Sequence, residues 1–173
     1  IDVRAMLHGY STVAWTNEAV YAVDDSVVTV TGAAVDADGN KTYTFAVNPE
    51  LTYNDGTPIN ARDYVFSVLL QSAPETAANG AMTYAYSQLL GCAAFNTGET
   101  EVFSGVRLID DHTFSLTIAA DYLPYFYELI YVNVTPYPIG AIAPGCTVAD
   151  DGEGAYITAH NGEDGNPLGE FTA

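Results

Sequence analysis

Two runs, "VVTVTGAAVD" from Val27 and "KTYTFAVN" from Lys41, alternate with period two and flank an Asp-Gly pair in "ADGN". Alternating runs around Asp-Gly specify a β-hairpin, because glycine accepts the positive φ that a tight turn matching the strand twist requires. In the second run Tyr43, Phe45 and Val47 share one face, and Thr42, Thr44 and Ala46 share the other. The first set is the expected core face. A sheet with one apolar face needs a covering layer.

A candidate for that layer comes directly after the hairpin, in "LTYNDGTPINARDYVFSVLL", residues 51 to 70. Leu51 and Tyr53 read as extended and "NDG" turns the chain. Asn60 is placed to cap a helix, with Asp63 three residues on as a relative of the capping box. Ala61, Tyr64, Val65, Val68 and Leu69 then fall on one helical stripe. "PETAANGAMT" is a polar, small-residue connection, and "YAYSQLLGCAAF" predicts one or two short helices interrupted at Gly91. A second hairpin is expected from "SGVRLIDDHTFSLTIAAD", where Val106 and Leu108 alternate before the turn and Phe114, Leu116 and Ile118 after it.

The flanking regions are less regular. "IDVRAMLHGY" predicts a short helix ending at Gly9, and "STVAWTNEAVYAVDDS" a loop with extended pieces. "YLPYFYELIYV" is apolar on nearly every side, which predicts a helix buried between layers or against another domain. From Pro136 the chain is rich in Pro, Gly, Asp and Asn, predicting an irregular wrap or tail with one short strand near "AYIT". Together these features predict an α+β fold: a mainly antiparallel β-sheet with α-helices packed on one face.

Composition restricts the partners. Hydrophobic residues make up 49% and charged residues 15%, enough apolar surface to offset the ordering entropy of a folded domain. Twenty-two acidic residues stand against Arg4, Lys41, Arg62 and Arg107, a formal net charge of -18. That balance argues against nucleic acid and anionic membrane surfaces, which both need clustered cations. The longest apolar run, "PYFYELIYVNV", is far short of the roughly 20 residues that cross a bilayer. The start "IDVRAML" has no initiator Met, basic region or cleavage site, and reads as an excised piece. Cys92 and Cys146 allow either one disulfide or two buried thiols.

The catalytic inventory is thin. His8, His112 and His160 lie in three unrelated contexts, and no serine sits in a G-x-S-x-G turn. Asp110 and Asp111 are adjacent, so on a strand they would point to opposite faces. "DADGN" at 36 to 40 opens like a calcium loop, but the position that needs a bidentate Glu is Val47, and strands flank it. "DDGEG" and "GEDGN" read as acidic loops. No enzyme, metal site or cofactor is expected. Asn40-Lys41-Thr42 and Asn133-Val134-Thr135 match the glycosylation pattern without deciding anything. Aromatics are the better clue. Tyr84 and Tyr86 come after a connection containing Gly80 and Met82, while Tyr122, Tyr125, Tyr127, Tyr131 and Tyr137 crowd one later region. Such side chains either bury a ring beneath a surface hydroxyl or line a ligand cleft or interface.

The ordered pieces Tyr43-Thr44-Phe45, Asp55-Gly56-Thr57-Pro58, Ala61-Arg62-Asp63 and Val65-Phe66-Ser67 resemble the signature of the dipeptide/oligopeptide-type extracellular solute-binding proteins of ABC importers. "SGVRLIDDHTFSLTI" and then "LPYFYELIYVNVTPYP" resemble that family's next segment, and "VRAMLHGY" the helix before it. The resemblance implies a fragment of a two-lobed clamp. Residues 1–26 would belong to the first lobe, 27–138 to the accessory α+β domain attached to it, and 139–173 to the wrap or tail. It implies a substrate-binding component that captures peptides or similar small solutes and delivers them to a membrane permease. Its expected place is outside the cytoplasm, anchored by lipid through a preceding segment. It also implies ligand-facing positions at Met82, Tyr84 and Tyr86, after the signature helix, and at Tyr10. The alternative is a structural or adhesive surface domain that binds a protein or glycan through its aromatic patch.

Overall fold

Period-two alternation emerges as a long antiparallel pair, preceded by a smaller hairpin that the sequence pattern does not announce. The structure is a computed structural model and describes residues 9–159. Strands β1 (Val13–Trp15) and β2 (Tyr21–Val23) form the small hairpin. Strands β3 (Val28–Val35) and β4 (Lys41–Val47) form the long one, with a register irregularity between Val30 and Gly32. Asp36 closes its turn by accepting from the Asn40 side chain and from the backbone N–H groups of Asn40 and Asp38. Those bonds hold its carboxyl below the usual carboxylate range, and they occupy the oxygens that resemble a calcium loop.

Strand β4 pairs on its other side with β6 (Thr113–Ile118), and β6 with β5 (Val106–Leu108), giving a four-stranded antiparallel sheet in the order β3-β4-β6-β5. Its apolar face is the one that alternation selects: Tyr43, Phe45, Val47, Phe114, Leu116 and Ile118 are all buried. Helix α1 (Ala61–Ser72) covers it, and the ring of Tyr64 stacks on Phe114, which stacks on Phe45. Asn60 caps α1 with both halves of the capping box present: its side chain accepts from Arg62 N–H while Asp63 accepts from Asn60 N–H. Each fully buried aromatic or aliphatic side chain of this cluster contributes about 1.5–3 kcal/mol relative to exposure.

Burial on α1 extends beyond one stripe, to Phe66, Ser67 and Leu70. The reason is a third layer. Strands β7 (Cys146–Asp150) and β8 (Ala155–Ala159) form a hairpin that contacts α1 as the sheet does. The Pro- and Gly-rich region is thus more regular than its composition predicts. The strand expected near "AYIT" is β8, and the difference is its partner β7, whose "CTVAD" alternates too briefly to stand out. Asp150 pins this hairpin to β5. It takes two bonds of 2.8 Å from the Arg107 guanidinium, and one each from Leu108 and Gly152 N–H at 3.0 and 2.9 Å. Cys92 is buried, and it is not bridged to Cys146.

Short helices complete the chain: α2 (Pro74–Ala78), α3 (Cys92–Asn96) and α4 (Ile139–Ile142). Helix α3 starts immediately after Gly91, which has φ +78°. "YLPYFYELIYV" departs from expectation. It forms two 3-10 turns, Ala120–Tyr122 and Glu128–Val132, and Phe126 between them is 84% exposed. Pro124 lacks the N–H that a continuous helix would use there, so the segment breaks into turns and its rings turn outward. The expected helix before Gly9, together with His8, His160 and "GEDGN", lies outside the described residues.

Candidate functional site

Three pieces of chain distant in sequence meet at one cleft. The first is the N-terminal segment, held against the extended exit segment after Glu128–Val132. Thr12 N–H donates to Val134 O at 2.9 Å, the Thr12 hydroxyl donates to Val132 O at 2.8 Å, and that hydroxyl accepts from Val134 N–H at 2.9 Å. Ser11 and Thr135 share a further hydroxyl contact of 2.7 Å. Because Thr12 is fully buried, these bonds form away from water, and losing one would leave a costly unpaired group.

The second piece is the signature turn. Tyr53 N–H donates to Thr57 O at 2.8 Å, Gly56 N–H to Tyr53 O at 3.0 Å, and Ile59 N–H to Leu51 O at 2.9 Å. Gly56 takes φ +85°, the left-handed value this turn demands. The third piece is the exit segment itself, through Thr135 and Pro136. Behind them Tyr64 of α1 ties the N-terminal segment to the core, its hydroxyl donating to the backbone carbonyl of Tyr10 at 2.7 Å. Tyr10 itself stands at φ +70°, an unusual conformation for a side chain of this size, which the Tyr64 bond and the neighbouring Ser11 and Thr12 contacts hold in place.

The cleft between them has a volume of about 520 Å³ and is lined by Gly9, Tyr10, Thr52, Tyr53, Asn54, Thr135 and Pro136. No formally charged side chain is among these lining residues. The described lining offers rings, two threonine hydroxyls and a carboxamide, a set that donates and accepts hydrogen bonds. Behind the cleft, the Tyr53 hydroxyl is buried with no hydrogen bond among the described residues, and burial together with Asp63, Tyr64 and Asp55 keeps it protonated far above the ordinary phenol range. Burial likewise pushes the Asp63 carboxyl up, against the opposing bonds from Asn60 and Ile139 N–H and the charge of Arg62.

The four positions implied by the resemblance separate. Tyr10 lines the cleft and is 37% exposed. Met82 and Tyr84 stand out from the loop after α2, 86% and 76% exposed, and are not among the lining residues. Tyr86 is buried beside Ser67 and Gln71 of α1, and burial holds its hydroxyl well above the usual range. Its ring belongs to the core because the loop returns to the helix there. Thr52, Asn54 and Thr135 are lining residues that the sequence reading does not single out. Their segments carry the family signature, but in sequence they signal only turn and exit geometry.

His112 is an exposed turn residue whose N–H donates to Asp110. Asp151 accepts from the N–H groups of Glu153 and Gly154, so the "DDGEG" oxygens serve a turn. Among the described residues no group of three or more His, Cys, Asp or Glu is placed to hold a metal ion, and no helix is long and apolar enough to cross a membrane.

Residues 21–169 match the profile of the bacterial extracellular solute-binding proteins, family 5, middle region. The periplasmic oligopeptide-binding protein OppA of Escherichia coli K12 is 34% identical over 104 residues, 59% of this chain and 19% of OppA. The probable deoxycholate-binding periplasmic protein YgiS of the same organism is 32% identical over 108 residues, 61% of this chain and 20% of YgiS. Among solved structures, peptide-bound OppA of Listeria monocytogenes superimposes with a TM-score of 0.56 at 18% identity, covering 82% of this chain and 30% of that one. Haemophilus influenzae OppA in complex with the peptide RPPGFSPFR gives 0.54 at 21% identity, covering 82% and 30%. The match therefore spans about a fifth of the length of these curated relatives.

Proposed function

Since the chain belongs to the bacterial extracellular solute-binding proteins of family 5, we propose that it is the accessory α+β domain of the substrate-binding component of an ABC importer. Residues 27–138 form that domain in this reading, residues 1–26 belong to the adjoining first lobe, and 139–173 form the wrap. The whole protein captures a peptide or similar small solute outside the cytoplasm and hands it to a membrane permease. Lipid anchoring through a preceding segment fits that place of action. The work is binding rather than catalysis.

The observation that carries this reading is the family match across residues 21–169, which includes the turn and exit segments that build the cleft. Tyr10 supplies one wall, and Met82 and Tyr84 reach the ligand from the exposed loop, with Tyr86 anchoring that loop from beneath. Closure of two lobes on a ligand requires contacts available only in the closed state, and exposed apolar side chains are suited to making them.

The test is titration calorimetry of the full-length protein against a peptide library, repeated with Tyr10→Ala and Tyr84→Ala. Binding weakened by either substitution supports the assignment. A full-length protein that binds no peptide removes the solute class, and wild-type affinity in both variants removes the site.

A further inference from the structure

A second surface stands apart from the cleft. Trp15 packs edge-on against Tyr21 at 4.7 Å between ring centroids, and Tyr21 meets Tyr127 at 6.0 Å. Tyr127 continues to Tyr125 at 6.0 Å, which stacks on Tyr131 at 5.2 Å, which meets Tyr122 at 6.2 Å. Phe126 projects beside Tyr127, 4.8 Å away. These rings form one ladder on the outside of the fold, with Trp15 57% and Phe126 84% exposed. Contiguous exposed aromatic surface of this kind marks an interaction site. We propose that the ladder docks a lysine- or arginine-bearing segment of a partner protein.

Charge selects that occupant. Aromatic faces attract cations, and the ladder is bracketed by exposed carboxylates: Glu18 in the turn between β1 and β2, and Asp121 in the turn that carries Tyr122. Every lysine and arginine among the described residues is already matched to a carboxylate: Lys41 to Glu128, Arg62 to Asp111 and Arg107 to Asp150. No uncompensated lysine or arginine of the described fold opposes an incoming cation. A second copy of the chain is disfavoured, since each brings a formal charge of -18. The ladder is also set in place from below. Glu128 accepts from both Lys41 and Tyr43 of β4, and Leu123 and Leu129 pack on the core, so little order remains to be gained on binding.

The experiment is hydroxyl-radical footprinting of the full-length protein with and without polylysine, with polyglutamate and a neutral oligosaccharide as controls. Trp15 and Phe126 are expected to be reactive in the free protein and protected by polylysine alone. In parallel, the Trp15→Ala/Phe126→Ala variant keeps the net charge and is expected to bind polylysine about tenfold more weakly, the loss of one to two cation–π contacts. Its peptide affinity at the cleft should stay unchanged, which separates this surface from the importer site. Three results overturn the proposal: rings already protected in the free full-length protein, a ring variant that binds polylysine as well as the wild type, or protection by the oligosaccharide in place of polylysine. The footprint on the unsubstituted protein decides the matter even where the variant folds poorly.

Discussion

Tyr64 serves both the core and the cleft. Its ring stacks on Phe114 in the core, and its hydroxyl holds the Tyr10 carbonyl at the cleft. Tyr64→Phe keeps the packing and removes one hydrogen bond, so it should cost about 1 kcal/mol of stability by denaturant unfolding. In the full-length protein it should also weaken peptide binding, because Tyr10 then loses the bond that holds its left-handed backbone. Asp150 offers the electrostatic counterpart. Partial burial pushes its carboxyl up, but the Arg107 guanidinium and the Gly152 and Leu108 N–H groups outweigh that and hold it below the usual range. A carboxyl depressed in the folded state contributes stability above its unfolded pKa and loses that contribution as pH falls through the lowered folded value. Asp150→Ala should therefore cost about 2 kcal/mol near neutral pH. The gap between variant and wild type should begin to narrow below about pH 4, where the unfolded carboxyl takes its proton first, and close further as the folded carboxyl follows at its lowered value.

At the scale of elements, the sequence is most legible where local chemistry and tertiary packing agree. The long hairpin, the second hairpin and the capped helix α1 each carry periodicity together with a turn or cap residue, and each forms where expected. The misleading element is 120–132, where hydrophobic content suggests a helix and Pro124 prevents one. Strand β7 is hidden because five residues beside a Gly-rich turn carry little pattern; its place is fixed by long-range contacts, among them Asp150 with Arg107. The cleft is half legible. Tyr10 comes from the resemblance, but Thr52, Asn54 and Thr135 become neighbours only when the N-terminal segment bonds to the exit segment, which no local signal specifies. One close approach between elements gives a sharp test. A Cβ at Gly105 would collide with the Leu90 carbonyl oxygen and stand 2.8 Å from the Leu90 nitrogen, where the loop before α3 crosses the entry to β5. Gly105→Ala should destabilise the fold by about 1–3 kcal/mol, seen as a lowered denaturation midpoint with the sheet signal retained.

On the scale of the whole molecule, charge and the share of its relatives that the chain spans decide behaviour. With a formal net charge of -18, the folded chain repels itself, and sodium chloride up to about 0.15 M should raise its melting temperature by screening. A melting temperature that stays flat or falls over that range would show that the carboxylates are already compensated. The match covers only about a fifth of the relatives' length. The proposed clamp binds through both of its lobes, so this chain, as the proposed accessory domain, should contribute contacts without holding ligand by itself. The most direct measurement is peptide titration of the full-length protein beside this 173-residue chain, using one peptide that the former binds. Saturable binding by the full-length protein, with little or none by the chain alone, is the predicted result. Equal affinity in both would contradict the clamp assignment, and would make this domain a complete binding module in its own right.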